Sequence, residues 1–195
     1  MNPDEKKRRS VRLRGYDYAF RGFFFITICT HDKQPSLADI IDYQPQLSKI
    51  GQVVAECWKQ IPEHFPRVRL DEWIVMPNHL HGIIVIRNPG SFPPPTSGDE
   101  GTACRAPTNL EALTAYETVF EEFGKPVAAS LSTIARSFKS AVSKRVREEL
   151  GTANLPVWQR NYFEHVIRDE DSLNKIRNYI WENPIHWNRD EYYLP

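Results

Sequence analysis

The sequence predicts an α+β fold of the ferredoxin-like type: an antiparallel sheet built in the order βαββαβ, helices on one face, and an extra C-terminal helix. Three observations predict it. Aromatic and β-branched residues crowd Gly22 to Thr30, two further strand-like runs meet at Pro77-Asn78, and apolar residues recur at helical spacing in three separate stretches. At 195 residues the chain suits one domain (1–195) with a real core.

The elements follow in order. Residues 1–14 read as a polar arm, basic through Lys6 to Arg9, Arg12 and Arg14, and Gly15 to Tyr18 is turn-like and aromatic. Phe23 to Cys29 is a buried first strand. Asp32 to Tyr43 reads as a loop containing Pro35. Leu47, Ile50, Val53, Val54, Cys57, Trp58 and Ile61 then place a helix over Ser48 to Gln60, which Pro62 and Pro66 end. Arg67 to Met76 is a second strand, with Val68, Leu70, Glu72 and Ile74 on one face and Trp73 and Val75 on the other. Pro77-Asn78 turns it into an antiparallel partner, His79 to Ile86.

Residues 88–126 change character. The Pro/Gly/Ser-rich run from Pro89 to Gly98 can form neither ladder nor helix, so the segment reads as a peripheral, mobile insertion, with a short acidic helix over Asn109 to Phe123. Order resumes with a long amphipathic helix marked by Val127, Leu131, Ile134, Phe138, Ala141, Val142 and Val146. Its outer side carries Arg136, Lys139, Ser140, Lys144 and Arg147, which is either a solvated face or a surface that tracks phosphates. Leu155 to Arg168 supplies the last strand region. Asp169-Glu170-Asp171-Ser172 opens the final helix, whose buried stripe is Leu173, Ile176 and Ile180 and which Pro184 stops. Trp187, Tyr192 and Tyr193 in the tail should pack back on the body.

Charge excludes little: Lys+Arg 25 against Asp+Glu 25 leaves no net charge, although both signs are clustered. Cys29, Cys57 and Cys104 are far apart, without a Cys-x-x-Cys pair, so neither a disulfide framework nor a zinc ribbon is indicated. No apolar run is long enough to span a bilayer and no signal peptide precedes the first strand. A reduced, soluble cytoplasmic protein is the expectation.

The chemistry centres on His79-Leu80-His81. Alternation along a strand turns both imidazoles to one face and Leu80 into the core, and two imidazoles on a rigid strand can grip a divalent ion. The same pattern also occurs as ordinary hydrogen-bonded surface histidines. On the last helix Tyr179 and Asn183 lie four apart, hence on one face. Tyr179 sits at the edge of the apolar stripe, as a packing tyrosine or a reactive one, and Asn183 before Pro184 has the position of a helix C-cap. Glu72 is a candidate acceptor for an imidazole N–H.

Met76 to Gly82, with His79-Leu80-His81 inside it, resembles the HUH motif of the IS200-like tyrosine transposases. Trp158 to Arg168, followed by Tyr179-Ile180-Trp181-Glu182-Asn183-Pro184, is similar to the C-terminal signature of their REP-associated branch, and the likeness extends to Gly15 to Tyr18 and Phe25 to Thr30. The resemblance implies a nuclease and strand transferase acting on single-stranded DNA at hairpin-bearing repeats, as a monomer or homodimer. It implies Mg²⁺ or Mn²⁺ held by His79, His81 and, in the place of a third ligand, Asn183. It makes Tyr179 the nucleophile, leaving a 5′-phosphotyrosine and a free 3′-hydroxyl. Arg12, Arg14, Arg136, Lys139 and Lys144 would then contact DNA. Two other readings stay open: a domesticated relative that binds DNA or RNA without cutting, and a zinc hydrolase, which lacks an obvious carboxylate base.

Overall fold

The computed structural model describes residues 21–87, 129–151 and 156–193; the basic arm, the 88–126 insertion, Arg12 and Arg14 lie outside them. In chain order the main elements are β1 (Gly22–Cys29), a ribbon of β2 (Ala38–Ile41) and β3 (Gln44–Leu47), α1 (Lys49–Lys59) and the short α2 (Ile61–His64). They continue with β4 (Val68–Val75), β5 (His79–Ile86), α3 (Leu131–Leu150), β6 (Phe163–Ile167) and α4 (Glu170–Glu182). β4, β5, β1 and β6 form one sheet in that spatial order, every neighbouring pair antiparallel. This is the ferredoxin-like order expected of a βαββαβ chain.

Local chemistry sets the helix ends. Ser48 caps α1 by accepting from the Gly51 N–H at 3.0 Å, and Ser130 caps α3 by accepting from Thr133. Gly151, at φ +63, ends α3 in the left-handed conformation that a glycine adopts without strain. Asp169 caps α4 at 2.7 Å from the Ser172 N–H, with Glu170 and Asp171 in the first turn where the helix dipole favours negative charge. Pro184 ends the α-helical hydrogen bonding, but the chain continues as a 3₁₀ helix, Asn183–Arg189, that folds back over the sheet end.

The two faces of the sheet are covered differently. Phe24, Ile26 and Ile28 of β1 and Leu80, Ile84 and Ile86 of β5 meet α1 and α3 in the main core, around Trp58 and Phe138. The opposite face holds a smaller apolar patch, Phe25, Ile83 and Ile167, covered by Leu173 and Ile180 of α4. The extra C-terminal helix therefore sits across the sheet from the other two, on the face that carries both histidines.

Two expectations need correction. The stretch read as a loop from Asp32 to Tyr43 contains a 3₁₀ turn at His31–Lys33 and the first strand of a ribbon. The ribbon turns at Asp42 and Tyr43, both at positive φ, without the glycine that announces such a turn. In β4 the pairing with β5 slips between Leu70 and Trp73, a β-bulge at Asp71-Glu72. The extra residue restarts the alternation. Val68 and Leu70 therefore share the core face with Trp73 and Val75, while Ile74 joins the α4 face.

Gly82 shows how tightly the main core is closed over the histidine strand. A Cβ built there would stand 2.3 Å from the buried Trp58 ring. Gly82→Ala should cost about 1–3 kcal/mol by overpacking, lowering Tm by about 2–4 °C for each kcal/mol lost. A thermal melt unchanged within a degree would contradict this packing.

Candidate active site

The hairpin between β4 and β5 builds the centre. Met76 N–H donates to the His79 carbonyl at 2.8 Å, closing the turn, and alternation then sends His79 and His81 out on the α4 face while Leu80 enters the core. Both imidazoles are almost fully buried, and their Nε2 atoms lie 3.0 Å apart. Burial, and then the Lys33 charge, push His79 down to about 3; burial, and then His79, hold His81 well below the usual range. At neutral pH both rings are neutral.

The far nitrogens are held too. His79 Nδ1 is 2.9 Å from Asn78 Oδ1, and His81 Nδ1 is 2.8 Å from Thr27 Oγ1. Asn78 is fully buried, and its amide nitrogen donates to the carbonyls of Lys33 at 3.0 Å and Tyr192 at 2.6 Å. Its oxygen must therefore accept from His79 Nδ1–H, which leaves a bare lone pair on His79 Nε2. If the freely rotating Thr27 hydroxyl likewise accepts, a second lone pair faces the first at 3.0 Å. Such a pair is repulsive alone and suited to a shared cation.

More oxygen atoms surround the pair. The Asp190 carboxylate lies within 4.8 Å of both histidine ligand atoms, so His79, His81 and Asp190 form a group that could hold a metal ion. Asn183, on the first turn of the 3₁₀ helix, is 3% exposed; its amide nitrogen donates to Asp190 Oδ2 at 3.0 Å, while its buried Oδ1 has no hydrogen-bond partner among the described residues. A buried acceptor without a donor, beside two imidazole nitrogens and a carboxylate, fits a divalent cation.

Tyr179 completes the group. Its hydroxyl lies 3.2 Å from His81 Nε2, and its ring meets His81 at 5.2 Å and Phe25 edge-on at 6.1 Å. The side chain is 42% exposed, beside a cleft of about 310 Å³ lined by Glu182, His186, Arg189 and Asp190 among others. Burial, with the carboxylates of Asp190 and Glu191, pushes the phenol up to about 12, so it rests protonated. The tail packs back as expected: Trp187 and Tyr192 approach the His79 ring at 6.0 and 4.8 Å.

The remaining sequence candidates divide. Glu72 is exposed on the bulge and touches neither imidazole; Thr27 and Asn78 fill the role considered for it. Arg136 and Lys144 are exposed on α3, across the sheet from the histidines, and Lys144 lies 4.0 Å from Glu148. The Lys139 ammonium bonds the carbonyls of Gln159, Arg160 and Asn161, tying α3 to the segment that leads into β6. His165 is exposed on β6. Asp190, Asn78 and Thr27 escaped sequence reading. Only Asn78, next to His79, carried a local signal, and it read as a turn residue.

If His79, His81 and Asp190 hold a divalent ion, Thr27, which fixes the His81 ring, should matter to it: Thr27→Val should weaken Mn²⁺ binding about 10- to 100-fold while leaving the fold intact. Isothermal titration with Mn²⁺ checks this, and an unchanged affinity would contradict the role given to Thr27.

With this geometry in view, comparison places the chain. No family model matches it. An uncharacterized protein of Haemophilus influenzae is 41% identical over 187 residues, covering 96% of this chain and 93% of that protein. The chain belongs to the same family as that protein. Among solved structures, a REP-associated tyrosine transposase bound to a REP hairpin matches with a TM-score of 0.52 at 17% identity, over 92% of this chain and 76% of that one. The chain shares the fold of that protein. Among the described residues no helix is long and apolar enough to cross a membrane.

Proposed function

We propose that this protein is a metal-dependent nuclease and strand transferase for single-stranded DNA, with Tyr179 as nucleophile and His79 and His81 as ligands of Mg²⁺ or Mn²⁺. One observation carries the reading: the hydroxyl of the half-exposed Tyr179 and two neutral buried imidazole nitrogens converge, each within hydrogen-bond distance of the next, in one chain. Asp190 and Asn183 are the further oxygen donors, and both come from the C-terminal segment.

A phosphodiester resists attack because its anionic oxygens repel a nucleophile. The bound ion would supply Lewis acidity, drawing charge from a non-bridging oxygen and favouring the phenolate. The protein's own residues do the rest. Thr27 and Asn78 fix the two imidazole rings, Phe25 supports the tyrosine ring from the side, and α4 holds the phenol 3.2 Å from His81 Nε2. The Tyr179 oxygen forms the new bond to phosphorus as the bond to the 3′-oxygen breaks, and the phenol proton finishes on the departing 3′-hydroxyl. The phosphotyrosine keeps the energy of the broken bond, so a second 3′-hydroxyl can reverse the step without a nucleotide cofactor.

The structural relative bound to a REP hairpin supports a hairpin-bearing repeat as the DNA partner. The Tyr179 hydroxyl lies 3.2 Å from His81 Nε2 of the same chain, which supports cleavage in cis. Arg136 and Lys144 would serve flanking duplex and not the scissile strand, since α3 lies across the sheet.

The test is incubation with labelled single-stranded oligonucleotides carrying a hairpin, with and without Mn²⁺, followed by denaturing electrophoresis. A metal-dependent covalent adduct is expected. Tight binding without adduct at any metal would favour a non-cutting DNA- or RNA-binding protein. Hydrolysis that survives Tyr179→Phe would favour a metal hydrolase.

A further inference from the structure

We propose that Asp71 and Arg177 form a positioning pair that sets the rotation and register of α4, and so the placement of the Tyr179 oxygen. The inference rests on the nucleophile assigned to Tyr179. It starts from the bulge in β4. Without that extra residue, Asp71 would continue a regular alternation on an edge strand. The slip between Leu70 and Trp73 instead re-aims the chain at this point, and bulges of this kind recur beside active sites.

The carboxylate meets the guanidinium in a two-pronged bond. Arg177 Nε donates to Asp71 Oδ1 at 2.7 Å and Nη2 donates to Oδ2 at 2.5 Å. The side chains are 16% and 30% exposed, so the pair is partly shielded from water and salt. Planar fork-to-carboxylate pairing is geometrically demanding, which is the property a register key needs. Burial alone would raise the Asp71 carboxyl; the Arg177 bond and the Glu72 N–H outweigh it and keep the group ionised.

The rest of the α4 contact is too small to fix its register alone. Among the described residues the helix sets two buried apolar side chains, Leu173 and Ile180, on three of the sheet, Phe25, Ile83 and Ile167, whereas α1 and α3 share a core of more than twenty. Smooth apolar contacts let a helix roll or slide by a fraction of an ångström at little cost. Arg177 and Tyr179 flank the Leu173–Ile176–Ile180 stripe on opposite sides: Arg177 over β4, Tyr179 over His81 and Phe25. A tie on one flank therefore decides where the other flank points. Asn174 steadies the guanidinium from the helix itself, accepting from Nη1 at 3.2 Å.

The test compares wild type, Arg177→Met, Asp71→Asn and the reversed pair Asp71→Arg/Arg177→Asp. Adduct formation on a hairpin oligonucleotide with Mn²⁺ should fall about 10- to 100-fold at saturating DNA in each single variant, with KM unchanged within about twofold. The reversed pair should recover most of the rate. A second readout is independent of activity: 3-fluorotyrosine at position 179 should shift its ¹⁹F resonance in both single variants and return toward wild type in the reversed pair. A change in KM with kcat preserved, or a ¹⁹F signal unmoved by Arg177→Met, would overturn the positioning role. If wild type forms no adduct, the proposed function falls while the ¹⁹F comparison still decides the pair.

Discussion

Tyr179→Phe protein is expected to bind hairpin-bearing single-stranded DNA as wild type does and to form no covalent adduct. The substitution removes one oxygen. The ring keeps its edge contact with Phe25 at 6.1 Å and its packing on His81 at 5.2 Å, so the helix has no reason to move. Stability should change by no more than about 1 kcal/mol, the ordinary net worth of one hydrogen bond. The rate of adduct formation should instead fall by about 10⁴-fold or more, because no other group replaces a missing nucleophile. Denaturing electrophoresis of a labelled oligonucleotide reads the result directly. An adduct of undiminished yield would place the nucleophile elsewhere.

The second large effect concerns the ligands. His79→Ala and His81→Ala should each cut the cleavage rate by about 10³-fold, the equivalent of several kcal/mol of charge stabilisation at the scissile phosphate. The double variant should be little worse than either single one, since one ion needs both imidazoles. Chelation should abolish activity in wild type, with recovery on adding Mn²⁺, whereas neither variant should recover. There is a structural price too: removing an imidazole strips Thr27 or Asn78 of a buried partner, at about 1–3 kcal/mol. Measuring Mn²⁺ affinity beside the melting temperature separates the two effects. Variants that melt lower yet cut at the wild-type rate would remove the ion from the account.

Much of this was legible in the chain because the informative features are periodic. Alternation along His79 to Ile86 put both imidazoles on one face, and that held because the pairing with β1 is regular from Gly22 to Cys29. Helical spacing likewise placed Tyr179 at the edge of the Leu173–Ile176–Ile180 stripe, where it is half-exposed. Where periodicity breaks, the reading failed. One extra residue at Asp71-Glu72 inverts the faces of β4 that simple counting assigns to its first half. The ribbon of β2 and β3 turns on Asp42-Tyr43 and includes Pro45, residues that carry no hairpin signature.

The site was half legible for a related reason. His79, His81 and Tyr179 sit on regular elements, whereas Asp190 comes from a segment whose path over the sheet depends on tertiary contacts. That path is held by the Asn78 amide on the Tyr192 carbonyl and by the Asp190 carboxylate on the Tyr192 N–H at 2.7 Å. Thr27 reaches His81 through cross-strand pairing, which places it 54 residues away in sequence. Nothing local to either residue marks it as part of a centre.

The convergence of one ion, two imidazoles and a phenol in a single chain is tested most directly by anomalous diffraction from crystals grown with Mn²⁺. The account predicts one manganese peak between His79 Nε2 and His81 Nε2, with the Tyr179 hydroxyl of the same chain facing it and an oxygen of Asp190 or Asn183 among the ligands. A peak remote from this pair, or a Tyr179 helix turned away from the bound ion, would contradict it.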